Sequence, residues 1–286
     1  MSAAPKVWLI TGVSSGFGRE IARAALARGD VVAGTLRQAA QLAGFRDLAP
    51  GRAHAFQMDV TDAAAIGRTV AETVRTAGGI DVLVNNAGYG QIGVAEEVTD
   101  AQTRRLFETN FFGLLQVVRA VLPHMRARRR GHIVNISSVA GMIGIPGMAL
   151  YSASKFAVEG LSEALAGEVA PLGIRVTIVE PGGFRTDFAG RSISPTEQPI
   201  ADYAVTPAGQ VRALLASYSG HEPGDPAKAA AAILDLVDAP SAPVRLALGS
   251  DALKMLRSRL ARVAQDYEAW QAVTTSTDFA GAQHEA

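Results

Sequence analysis

Short runs of Val, Ile and Leu alternate with helical patterns from the first residues onward, and this alternation limits the fold more than any other feature of the chain. Residues 7–10, 30–35, 53–58, 81–84, 133–136, 175–179 and 244–248 read as strands. Helical patterns at 19–28, 63–76, 101–126, 152–170 and 226–237 separate them, the last opened by Asp225 as an N-cap. Nearly continuous apolar strands belong to a parallel sheet covered on both faces. Right-handed crossovers then make it an α/β, doubly wound sheet of the Rossmann type. No repeat or linker interrupts the pattern, so one domain is expected over residues 1–286. The beat breaks after Pro181. Residues 182–225 are rich in Gly, Pro, Ser and Thr with a helical piece near 208–218, which predicts a lid over a binding site. An extra amphipathic helix is predicted over 251–272. Its Leu253, Leu256, Leu260 and Val263 should lie against the lid or the nearby sheet edge, in a crevice already complete at Leu248. A disordered tail is expected from 274 to 286.

Composition mainly excludes. Lys plus Arg equals Asp plus Glu at 27 each, so no global field favours nucleic acid or an anionic membrane. The basic cluster at 126–130 precedes a strand and reads as a solvated helix C-terminus. Without cysteine there is neither disulfide nor thiolate chemistry. The five histidines are scattered without ligand spacing, so no metal is expected. No apolar run reaches the roughly 18 residues of a membrane span, and the first strand follows residue 6 too closely for a signal peptide. A cytoplasmic protein is expected.

Three strand ends carry binding chemistry. Gly12, Ser14, Ser15, Gly16, Phe17 and Gly18 form a Gly-x3-Gly-x-Gly turn between the first strand and first helix. Glycines there let the backbone approach a pyrophosphate seated on the helix N-terminus, and the two serines add donors. Asn85-Asn86-Ala87-Gly88 ends the fourth strand, where an open parallel sheet has its ligand crevice; its amides can staple strand ends, touch the ligand, or do both. The second strand ends in Leu36-Arg37, with no Asp or Glu between Val31 and Arg46. An acid at this place bonds a ribose 2′-hydroxyl, whereas the planar, permanently charged fork of Arg37, helped by Ser15, suits a 2′-phosphate. NADP(H) is therefore expected over NAD(H).

Tyr151 and Lys155 lie four residues apart on one helical face. A phenol near pKa 10 is a poor acid–base group at neutrality. A cation about 4 Å away at an effective dielectric of about 20 contributes about 4 kcal/mol, or about 3 pKa units, which predicts that Lys155 brings Tyr151 into the working range. Ser137 and Ser138 end a buried strand fourteen and thirteen residues earlier, where a hydroxyl can bond an oxygen on which charge develops.

Taken together, the glycine motif, Asn-Asn-Ala-Gly, Asn110, Ser138, Tyr-x3-Lys and Pro181-Gly182 resemble the short-chain dehydrogenase/reductase family over roughly residues 5–250. The Thr-Gly-x-Ser-Ser-Gly opening, Thr35-Leu36-Arg37 and the run from Tyr151 to Ala157 look most like its 17β-hydroxysteroid and retinol dehydrogenase branch. The resemblance implies an oxidoreductase acting on a secondary alcohol or ketone, with Tyr151 as general acid or base. Lys155 would also bond the nicotinamide ribose, Ser138 the substrate oxygen, with Ser137 in support. Asn110 would hold a water in a proton relay, and Asp59 and Val60 would contact adenine. Gly88 would lie along the cofactor, and Pro181, Gly182 and Thr186 would hold the nicotinamide, with Thr186 near its carboxamide. Phe184, Phe188, Ile193, Tyr203 and Leu214 in the lid suggest a small-molecule substrate of apolar character. A dehydratase or epimerase on the same fold, and a catalytically idle NADP sensor, are the alternatives. By analogy with the family, the two long helices would pair across a dyad in a homodimer or homotetramer.

Overall fold

The computed structural model describes residues 4–188, 190–218 and 220–279. Its first half runs β1 (Val7–Ile10), α1 (Gly16–Ala27), β2 (Val31–Leu36), α2 (Leu42–Arg46), β3 (Ala53–Gln57), α3 (Ala63–Ala77) and β4 (Val82–Asn85). Then come β5 (Gly90–Ile92), α4 (Asp100–Phe107), α5 (Leu114–Arg128), β6 (Gly131–Ile136), α6 (Ala149–Val169) and β7 (Ile174–Pro181). The remainder holds β8 (Ile193–Pro195), α7 (Pro207–Tyr218), α8 (Pro226–Asp238), β9 (Arg245–Leu248), α9 (Ser250–Ala269) and α10 (Gln271–Thr275).

Seven strands form one parallel sheet in the order β3-β2-β1-β4-β6-β7-β9. The order reverses between β1 and β4, and this switch point opens a crevice at the carboxyl ends of the strands. Successive side chains of the central strands enter two different cores, one on each face of the sheet. Trp8 and Ile10 face a core completed by Ile21 of α1 and Ile233 of α8; Leu9, Leu83 and Ile133 face another with Val117, Val118 and Val158 of α5 and α6. Both faces are therefore dry, as the apolar strands predict.

Several helix boundaries follow local chemistry. The Asp62 carboxylate accepts from the Ala64 and Ala65 amides to start α3, and Asp225 does the same for α8 with Ala227 and Lys228. Thr99 and Gln102 close a reciprocal cap on α4. The helix expected over 101–126 is broken at Glu108–Gly113 by a wide turn of π type. Gly113 passes so close to Val60 that a Cβ would lie 2.8 Å from its carbonyl oxygen, and the Asn110 amide leaves the helix for Tyr89.

Other expectations need correction. The basic cluster is only partly solvated, since Arg128 donates to Asp81 at 2.7 Å and Arg129 ends α5 in the left-handed region at φ 51°. Of the tail expected from 274, Thr274 and Thr275 belong to the short helix α10; 280–286 lie outside the described residues. On α9 only Ala252 and Leu256 are buried, against Val139, Met142, Ile143 and Ala247, while Leu253 and Leu260 are exposed. The helix thus packs on the turn after β6 and on the sheet edge at β9, the second of the two expected places. A second, two-stranded sheet of β5 and β8, too short for a sequence pattern, ties the region after Pro181 to the Asn-Asn-Ala-Gly turn.

His132 on β6 gives the core a pH dependence. The Thr177 hydroxyl donates to the Pro243 carbonyl at 2.8 Å, so it accepts from His132 Nε2 at 2.9 Å, leaving Nδ1 bare and buried. Burial, aided by Arg175, pushes the imidazole down to about 3. The folded value lies below the unfolded one, so this contribution is complete above pH 6.5 and is lost as pH falls toward 3. Denaturant unfolding should show His132 costing about 2 kcal/mol at about pH 5 relative to neutrality. His132→Gln should remove that part of the slope, separating it from Glu159, whose raised value acts in the opposite direction.

Candidate active site

The joint between β1 and β4 builds the floor of the crevice. The Thr11 hydroxyl accepts from the amides of Asn86 at 2.9 Å and Ala87 at 3.0 Å, and Asn86 Nδ2 donates to the carbonyls of Thr11 and Gly12 at 2.8 and 3.0 Å. Gly12 (φ 72°) and Gly16 (φ 55°) take the left-handed turn that brings the chain into α1. A Cβ on Gly18 would collide with both Asn86 Nδ2 and the Gly12 carbonyl. Asn85 is the staple: its Nδ2 donates to Asn135 Oδ1 at 2.9 Å, and Asn135 Nδ2 to Ser162 Oγ at 2.8 Å, joining β4, β6 and α6. Both asparagines thus staple strand ends, and Asn86 also lines the cavity.

A cavity of about 1130 Å³ runs over this floor. Its walls include Gly12, Ser14, Ser15 and Phe17 from the glycine turn, Arg37 after β2, Asp59 and Val60 after β3, and Asn86, Ala87 and Gly88 after β4. Ser137, Ser138, Tyr151, Lys155, Pro181, Gly182 and Thr186 complete the shared wall. Gly16, Gly18 and Asn110 lie behind the lining. The Asn110 side chain accepts from the Tyr89 amide at 3.0 Å and donates to the Tyr89 carbonyl at 2.9 Å and Ser154 Oγ at 3.2 Å. Thr186 Oγ1 accepts from the Phe188 amide at 3.3 Å while facing the cavity.

The features at one end fit a dinucleotide phosphate. Ser15 occupies the N-cap of α1 with extended backbone and makes no side-chain cap, so the helix offers its first amides to the cavity. Exposed Arg37 reaches the same cavity and makes no ion pair among the described residues. Phe17 packs edge-on against Phe184 at 5.0 Å, linking the glycine turn to the segment after β7.

At the other end, Tyr151 and Lys155 face the cavity from one side of α6, both buried. Lys155 Nζ donates to the Ile136 carbonyl at 2.9 Å and lies 5.9 Å from the Tyr151 ring centroid. Burial pushes the phenol up to about 12, with the Ser138 hydroxyl pulling it part of the way back. It also pushes the Lys155 ammonium down to about 8, opposed by the Glu159 carboxylate. Desolvation is the largest influence on Tyr151, and the Lys155 ammonium is engaged by the Ile136 carbonyl. The phenol is a neutral donor at neutral pH.

Sequence reasoning missed several wall residues. Tyr89, Gln91, Gln102, Ile145 and Met148 line the substrate end, but on a linear chain they look like ordinary loop and helix residues. In the lid, Phe184, Phe188 and Ile193 face the cavity; Leu215 does so in place of Leu214, which is exposed, and Tyr203 turns away to Glu96 at 2.7 Å.

The family model described as short chain dehydrogenase matches residues 6–197. Over 201 residues the chain is 44% identical to a 3-ketodihydrosphingosine reductase of Bacteroides thetaiotaomicron, covering 70% of this chain and 72% of that one. It is 40% identical to retinol dehydrogenase 8 of Homo sapiens over 217 residues, 71% of this chain and 67% of the other. A crystal structure of a short-chain dehydrogenase from Streptomyces avermitilis superposes with a TM-score of 0.90 at 47% identity, covering 97% of this chain and all of that one. Structures of this fold at 27% and 29% identity hold NADP. The chain therefore belongs to the short-chain dehydrogenase/reductase family, in its retinol-dehydrogenase-like branch, and is an oxidoreductase acting on a CH–OH/C=O pair with a nicotinamide cofactor.

Proposed function

We propose that the protein catalyses reversible hydride transfer between NADP(H) and a secondary alcohol or its ketone, on an apolar substrate of medium to large size. The observation that carries this reading is the shared cavity, with Ser138, Tyr151 and Lys155 at one end and Ser15 and Arg37 at the other. The cofactor supplies the hydride in reduction and accepts it in oxidation. Ser138 holds the substrate oxygen, and the neutral Tyr151 phenol donates the proton as the carbonyl becomes an alcohol. Lys155 would hold the nicotinamide ribose, and its positive charge beside the ring favours the phenolate left behind, which regains its proton from solvent reaching the cavity. Asn110 serves by fixing the Tyr89 backbone beside the reacting centre. Ile145, Met148, Phe188, Ile193 and Leu215 make the substrate end apolar, and the names of the two relatives, a sphingoid ketone reductase and a retinol dehydrogenase, point to apolar substrates too. The cytoplasmic placement belongs to the same proposal; no helix among the described residues is long and apolar enough to cross a membrane.

Following NADPH oxidation against ketones of increasing chain length tests the reading directly. Activity should rise with apolar length, and a chain that binds NADPH yet reduces none of them would favour the sensor alternative. Tyr151→Phe should lose at least about a hundred-fold in turnover, the low end of the usual worth of an acid–base group, while binding NADPH within a few-fold. Higher residual activity would mean that another group donates the proton.

Arg37 decides between the two nicotinamide cofactors. Arg37→Asp removes a charge-assisted phosphate contact of about 1.5–3 kcal/mol, so NADPH should weaken by about ten- to a hundred-fold and NADH should gain relative to it. Titrating both cofactors against both proteins checks this; a wild type preferring NADH would overturn the assignment.

Assembly through the two long helices is the remaining part. Phe112, in the turn before α5, and Phe156 of α6 are each 42% exposed, apolar area that pairing would cover. Light scattering should give a dimer or tetramer at micromolar concentration, and a monomer would remove this element.

A further inference from the structure

We propose that Asp251, in the first turn of α9, is a positioning residue that fixes the Pro181–Gly183 turn and thereby the nicotinamide end of the cofactor. The inference rests on the proposed function, and it assigns to the C-terminal helix a part in the cofactor crevice. From the sequence that crevice ends at Leu248, and the structure carries it further.

Asp251 does not cap its own helix. The N-cap position is Gly249, which makes no side-chain cap. The carboxylate instead reaches across to β7, where Oδ2 accepts from the Gly183 amide at 2.8 Å. One residue earlier the Gly182 amide donates to the Leu248 carbonyl at 2.9 Å, so two successive amides of the turn are held by the β9–α9 junction. The fit leaves no slack. A Cβ on Gly182 would collide with the Asp251 carboxylate, with its Cγ at 2.6 Å, and a Cβ on Gly249 would meet Oδ1. Gly182 does not adopt a positive φ, so the closeness of Asp251, not the backbone conformation, accounts for glycine at that position. Oδ1 itself is buried without a partner, a cost that a solvated first-turn acid would not carry.

The same two helical turns support the other side of the reacting centre. Ala252 and Leu256 pack on Val139, the residue after Ser138, and on Met142 and Ile143. One short stretch of helix thus touches the turn beneath the nicotinamide site and the turn that carries the serine. Beyond Leu256 no residue of α9 is buried, so its effect on the site resides in this first stretch.

The test uses the full chain with Asp251→Ala, Asp251→Ser and Asp251→Asn, titrated with NADPH and with 2′,5′-ADP, which has the adenine half alone. Ala and Ser lose the acceptor for the Gly183 amide and should weaken NADPH by roughly ten-fold while leaving 2′,5′-ADP unchanged. Asn keeps an acceptor oxygen and should stay within a few-fold of wild type. Unchanged NADPH affinity in Ala or Ser overturns the proposal, and so does an equal weakening of both ligands, which would mark a general structural role. If the Ala and Ser proteins do not fold, Asn decides: NADPH affinity near wild type supports the role, and a selective loss of NADPH or an equal loss of both ligands overturns it. A folded wild type that binds 2′,5′-ADP but gains nothing from the nicotinamide half would refute the proposed function itself, separately from any Asp251 result.

Discussion

The Thr11 hydroxyl is the interaction on which the crevice depends. One oxygen accepts two successive amides, those of Asn86 and Ala87, and so fixes the end of β4 against the end of β1 where the strand order reverses. A doubly wound sheet leaves its strand ends free to splay at that point. With the Thr11 clasp in place, Asn86 can reach back to Gly12, and α1 can begin close enough that Gly18 has no room for a side chain. The amides at the start of α1, Arg37 and the Asn-Asn-Ala-Gly turn then all face one volume. Electrostatic preference for a phosphate follows from that placement, because each donor is aimed before any ligand arrives.

At the other end of the cavity, burial governs the chemistry more than charge pairing does. Tyr151 and Lys155 are both out of water, and desolvation moves their proton affinities apart from the values needed for a phenolate–ammonium pair. At neutral pH the phenol is the neutral donor and Lys155, pushed down only to about 8, still carries its proton. Further along α6, Glu159 and Glu163, with Glu180 of β7, converge on Arg245 of β9. Burial and the neighbouring Glu180 hold the Glu159 carboxyl up at about 6, while Arg245 works to lower it. Tyr151, Lys155 and Glu159 follow one another at four-residue steps along the same buried face of α6, so the stripe runs from the cavity to the ion pairs of Arg245, and the Glu159 carboxylate opposes the lowering of Lys155.

Much of this was legible in the sequence. Strand periodicity gave the sheet, and the glycine turn, Arg37, the serines and the Tyr-x3-Lys spacing converge on one cavity because each sits at the carboxyl end of a strand or on the helix facing it. What was not legible shares a physical cause. The π turn at 108–113 depends on how closely Gly113 passes Val60, and the role of Asn110 depends on Tyr89 being within reach. Leu214 and Leu215 are indistinguishable in a helical pattern until the helix has a rotation. Spacing places Lys155 near Tyr151 but says nothing of Ile136, whose carbonyl holds the ammonium. The partner of Asp251 lies 68 residues away in the chain, a separation that no local pattern reports.

The position of Arg245 in the chain bears on how the protein is made. The nucleotide end draws on residues 12 to 88, which emerge early from a ribosome and form β1 to β4 with their covering helices α1 and α3. The three carboxylates beneath α6 are synthesised long before the arginine that neutralises them, since β9 is the last strand and joins the sheet at its edge beside β7. Until it docks, Glu159 and Glu180 have no cation to pair with in the interior, and α6 has no reason to settle fully onto the sheet. Folding that follows the chain would therefore assemble β1 to β4 first and settle α6 only when β9, the last strand among the described residues, closes the edge beside β7.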